Sequence, residues 1–96
     1  MKPIAKQVYV EVERGIASRQ QYYNPKEHEL ILYKDRLESS KETFYLQDVL
    51  DLSYRKFNDN FGLFYIHSNR GVFPFQVKMN PASFIEYFKK VKTELL

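Results

Sequence analysis

Apolar and polar positions alternate along most of this chain, and the alternation predicts strands. In "KQVYVEVER", Val8, Val10 and Val12 share one side of an extended backbone, with Tyr9, Glu11 and Glu13 on the other. That is the pattern of a half-buried strand. Gly15 is expected to break it, and Tyr22 and Tyr23 to begin a second strand that Asn24-Pro25 ends or turns. "HELILYKDRLES" reads as a strand, a bend at Lys34-Asp35 and the start of the next strand, with Leu30, Leu32 and Leu37 toward the core. "SSKE" is a polar loop. Phe44 and Leu46 then alternate across Tyr45, and Leu50, Leu52 and Tyr54 across Asp51 and Ser53. The phase changes between the two sets, so a buried Val49 requires a bulge or corner near Gln47–Asp48. A helical reading of Leu46, Val49, Leu50 and Ser53 competes with it.

"FNDNFG" is a turn by composition. "LFYIHS" and "GVFPFQVK" flank "SNRG", a hairpin in which Gly71 supplies a positive φ at no steric cost. Phe73, Phe75 and Val77 share a face; on the partner strand Leu63, Tyr65 and His67 oppose Phe64 and Ile66, and alternation does not choose between those sets. Pro74 lacks a donor, so it belongs on an edge or with its nitrogen turned away from a partner. The last element is a helix over residues 81–95. Asn80 is its N-cap and Pro81 its first position. Phe84, Phe88, Val91 and Leu95 form one apolar stripe, with Ile85 beside it.

Composition narrows the classes. A chain of 96 residues is read as one domain, 1–96, with residues 1–5 expected to fray. Its 8 Phe and 8 Tyr, without Trp, supply the core. The absence of cysteine excludes disulfides, thiolate metal sites and a cysteine nucleophile, and points to a cytoplasmic setting. The N-terminal segment carries no signal-like apolar run, and no membrane span is visible. The net charge of +3 arises entirely in residues 49–96, which hold seven Lys/Arg and four Asp/Glu. Lys89, Lys90 and Lys92 make up most of the excess. They suit the C-terminal end of a helix dipole, or else a basic binding surface.

From "ELILYKDRLES" to "FIEYFKKVK" the order of elements resembles a pleckstrin-homology-like domain, closest to the small bacterial and GRAM-like members. "LILYKDRLES" looks like their apolar strand and polar bend. "FYLQDVLDLSYRK" looks like their strand with apolar positions at Leu46, Val49 and Leu52. "LFYIHSNRGVFPFQV" looks like their late hairpin, and "PASFIEYFKKVK" their closing helix. The resemblance covers residues 29–92. It implies an α+β fold: a small antiparallel β-barrel or bent sandwich of six or seven strands, with one C-terminal capping helix that seats Phe84 and Phe88. A small barrel of the SH3 type with an added helix is the other architecture. The lysine and arginine cluster that phosphoinositide-binding members carry in the first hairpin is reduced here to Arg14 and Arg19, near Glu11 and Glu13.

Chemistry is sparse. His28 sits between Glu27 and Glu29 and is expected to be solvated; His67 ends a strand. Neither has metal-site spacing. The glycines are isolated, so no phosphate loop is present, and Ser39, Ser40 and Ser53 lack a nucleophile context. Neither an enzyme nor a cofactor is expected. "SYRKFNDNFGLFY" interleaves aromatic and basic residues as a nucleic-acid surface does, but its aromatics also fit core positions. The leading expectation is a noncatalytic protein-interaction module, binding a partner or itself through a sheet edge beside the helix, with Tyr65, Ile85, Tyr87 and Lys92 as contacts. The alternative is peripheral binding of anionic lipid or nucleic acid through Arg14, Arg19, Lys89, Lys90 and Lys92.

Overall fold

A computed structural model describes the backbone of residues 2–17 and 20–95, and side chains within 2–11 and 25–94. The described residues form seven strands and one helix: β1 (Ala5–Ala17), β2 (Gln20–Leu32), β3 (Arg36–Glu38), β4 (Thr43–Tyr45), β5 (Val49–Asn58), β6 (Phe61–Ser68), β7 (Gly71–Val77) and α1 (Ala82–Leu95). All strand pairs are antiparallel, in the order β4-β3-β2-β1-β7-β6-β5.

The sheet bends over its own core. Phe44 on β4 packs edge-on against Phe73 on β7, centroids 5.0 Å apart, although β3, β2 and β1 lie between them in the sheet. Leu30, Leu32, Leu37, Phe64, Ile66 and Val77 are buried on the same concave face. The expected barrel is not closed. β4 and β5 stand at opposite ends of the sheet and do not pair. The reason is the corner between them: a single 3-10 turn, Leu46–Asp48, carries the chain from one to the other. The Leu46 amide donates to the Asp35 carbonyl (3.0 Å) and the Asn69 amide to the Asp48 carbonyl (2.9 Å), which fixes the turn at both ends. Val49 is buried, so the phase change falls at the corner the pattern required; Leu50 is 70% exposed. The helical reading of this stretch reduces to that one turn.

The first hairpin differs most from expectation. Gly15 does not end β1, and Asn24-Pro25 does not end β2: the two pair without interruption from Ala5–Leu32 to Ala17–Gln20. β2 meets β3 only at Ile31 and Leu32, and β1 meets β7 only at Val10–Gln76. From Glu11 and Lys26 outward the hairpin is therefore a two-stranded ribbon, and the molecule measures 53 × 26 × 26 Å. The faces of β1 also differ. Tyr9 and Gln7 turn to the buried side, while Val8 is exposed; Val10 is buried where β1 crosses β7. The Ile4 amide donates to the Leu32 carbonyl at 2.7 Å, and Ala5 opens β1.

In β6 the concave face carries Phe64 and Ile66, leaving Leu63, Tyr65 and His67 on the convex face. Gly71 has φ +123°, as its turn requires. Pro74 lies in β7 beyond the single β1 contact, so its missing donor meets no strand on that side. The helix starts as its sequence predicts. Asn80 Oδ1 accepts from the Ala82 amide at 2.9 Å, which satisfies one donor of the first turn. Phe84, Phe88 and Val91 are buried, with Phe84 edge-on to Phe64 at 5.7 Å. No described helix is long and apolar enough to cross a membrane.

Candidate functional site

The sheet has two outer strands. β4 has three residues; β5 has ten. Among the described residues β5 pairs with β6 alone, so no strand covers its other side, where Asp51 Oδ1 accepts from the Leu52 amide. Its regular pairing runs from Asp51 to Lys56, between register shifts at Val49/Asp51 and Lys56/Asn58. Leu50 projects at the first shift, and Phe57, 47% exposed, at the second. Phe57 rests against Phe61 (5.3 Å) under the Arg55 guanidinium (5.2 Å). Asp51, Ser53 and Arg55 share the convex face, opposite His67, Tyr65 and Leu63 of β6.

The helix approaches this edge at the corner. Lys92 Nζ donates to the Leu46 carbonyl, one turn before β5 begins. At about 100° per residue, Ile85 and Lys92 occupy one flank of the buried stripe and Tyr87 the other. The four expected partner-binding residues thus do not share a groove. Tyr65 lies on β6, an interior strand, and on the face away from Phe84. Ile85 and Lys92 are half-buried on the flank nearest the corner; Tyr87 is exposed on the far flank, with Lys90 Nζ 5.7 Å above its ring. The outer strand on this side of the sheet is β5, with β6 inside it.

The expected anionic-ligand residues are also dispersed. Arg19 and the side chain of Arg14 lie outside the described residues. Lys89 and Lys90 are exposed, and Lys92 is occupied by the Leu46 carbonyl.

Two clusters have no counterpart in the sequence reading. On the convex face Ser53 Oγ and His67 Nε2 lie 2.6 Å apart. A serine on an imidazole is half of a nucleophile–base arrangement. Asp51, the cross-strand neighbour of His67, gives its Oδ1 to the Leu52 amide instead (2.8 Å). The pair stands on an open sheet face. His67 stands next to the last residue of β6, near the strand end as expected. The second cluster lies where β1 parts from β7, a mostly apolar cleft of about 200 Å³ over Tyr9, Phe73 and Phe75. Glu11 closes its rim: Lys41 Nζ is 2.6 Å from one carboxylate oxygen and His28 Nε2 3.3 Å from the other. The Lys41 hydrogen bond is the main cause that holds the Glu11 carboxyl below its ordinary range; partial burial opposes it, and the charges of Lys41 and His28 add to it. Tyr9 Oη donates to Ser40 Oγ (2.8 Å) and accepts from the Ser40 amide (3.0 Å). His28 is therefore half-buried beside Tyr9, not merely solvated. Alternation could not have found either cluster, because each joins residues distant in sequence. Among the described residues no three His, Asp or Glu side chains converge as metal ligands.

Comparison with known proteins adds no relative: no family model, curated protein or solved structure matches the chain.

Proposed function

We propose that this protein is a noncatalytic interaction module of pleckstrin-homology-like architecture, and that it binds a protein strand along the free edge of β5. One observation carries the reading. β5 is an outer strand of ten residues that pairs with no second strand among the described residues, although Asp51 Oδ1 accepts from its Leu52 amide, and it starts at the corner that the helix grips through Lys92. An extended partner gains main-chain hydrogen bonds there, and Leu50 and Phe57 offer apolar anchors at either end. The sheet order and the terminal helix support the resemblance, as does the bend that brings β4 against β7.

The test is Leu50→Pro. Leu50 has no partner residue in β6, and Val49 before it, at φ −91° and ψ 119°, already has the conformation proline imposes on its neighbour. The variant should keep its circular dichroism and lose most of the protein captured by the wild type at near-physiological salt. Equal capture by both forms sinks the edge reading. The second reading, a peripheral anionic contact, rests on Lys89 and Lys90. Binding of anionic vesicles or nucleic acid that falls steeply with salt, unchanged by Leu50→Pro, would favour it.

A further inference from the structure

The free edge of β5 is complementary to itself. We infer that the strand added there is β5 of a second copy of this chain, antiparallel about a two-fold axis through Ser53. The inference rests on the edge reading above and names its occupant. A two-fold axis normal to the sheet keeps faces matched, so residues that meet across it are an even number of positions apart. Centred on Ser53, it sets Asp51 opposite Arg55 of the second copy, and Arg55 opposite Asp51. Both residues are exposed on the convex face; Asp51 Oδ1 accepts from the Leu52 amide and Arg55 lies over the Phe57 ring, so the pair forms through the second Asp51 oxygen and the guanidinium N–H groups. Moving the axis one residue sets Asp51 opposite Ser53 or Phe57 instead, and both ion pairs are lost.

The contact is also bounded. The register shifts at Val49/Asp51 and Lys56/Asn58 bend the strand out of line, which confines regular addition to the stretch between them. The opposite outer strand of the sheet, β4, has three residues, and the β1–β2 ribbon, open on both sides beyond Glu11 and Lys26, stands apart from β5 in the sheet order. An isologous pair that uses β5 of both copies closes on itself.

The chain has no cysteine, so a single introduced thiol reports this contact directly. In Ser53→Cys the two sulfurs sit on the axis, with Cα atoms about 4.5–5.5 Å apart, within disulfide range. Mild oxidation of the folded protein should give a covalent dimer. Asn58→Cys, about 30 Å from its counterpart, should not. Sedimentation equilibrium supplies the second readout. Asp51→Arg or Arg55→Asp alone opposes like charges twice and should raise the dimer Kd about tenfold or more. The two together exchange the ion pairs and should return the Kd to within about threefold of wild type. A chain that stays monomeric overturns the inference, and so does a dimer that is indifferent to the single reversals or is not restored by the double exchange. If the chain is monomeric yet Leu50→Pro loses a captured protein, the dimer fails and the edge reading stands. If Leu50→Pro changes nothing, the edge reading fails first.

Discussion

Tyr9 and Glu11 show how much single residues bind together in this fold. Both belong to β1, and both reach across to the β3–β4 loop, Tyr9 to Ser40 and Glu11 to Lys41. The Glu11 carboxyl is held below its ordinary range chiefly by the Lys41 hydrogen bond, so its stabilising effect has a defined pH window. A lowered folded-state value means that the unfolded chain binds the proton more readily. The contribution is therefore complete above the unfolded value, about 4.3, and fades as pH falls through the folded one. Glu11→Gln should be less stable than wild type in urea at pH 7, and the gap should narrow toward pH 3. A gap that persists in acid would assign the loss to packing. The sequence concealed this arrangement for a simple reason. Alternation placed Tyr9 and Glu11 opposite the valines without choosing the buried side: the ring of Tyr9 buries far more surface than Val8 does, and its hydroxyl finds Ser40.

At the scale of elements, α1 was the most legible part, because each signal for it is local. An N-cap, a proline at the start and a stripe at helical spacing need no knowledge of the rest of the chain. Phe88 lies on that stripe and is buried against the core. Phe88→Ala should cost about 3–5 kcal/mol in denaturant unfolding. A loss below about 1 kcal/mol would mean that the helix is not seated. The corner at Leu46–Asp48 was legible for the same reason, since a phase change within six residues is itself a local signal. Edge order was not. That β5 and not β7 is the outer strand of this half depends on β1 pairing with β7, a contact between chain ends that no local pattern encodes. The expected groove beside residues 63–67 falls on an interior strand, and Tyr87 was grouped with Ile85 across the buried stripe. The length of the first hairpin was hidden too, because Gly15 and Pro25 are strand breakers that a two-stranded ribbon tolerates.

For the whole molecule, topology sets how fast the fold can assemble. The sheet becomes continuous only when residue 10 meets residue 76, so nearly the entire chain must be ordered before its two halves join. Such non-local pairing places refolding in the millisecond-to-second range, slower than a helical bundle of equal length. Stopped-flow dilution from urea, followed by tyrosine fluorescence, should resolve that phase within its time base. Refolding complete within the dead time would argue that the β1–β7 contact is not rate-limiting.

The ribbon has a consequence for how the protein moves through solution. A body about twice as long as it is wide meets more friction than a sphere of the same mass, and the two 13-residue strands of the first hairpin set its long axis. A monomer should therefore leave a sizing column early, at the volume of a heavier compact protein. Its rotation should be slower end over end than about its length. Mass has to be read from sedimentation equilibrium or light scattering, where shape cancels, before any early elution is credited to a second copy.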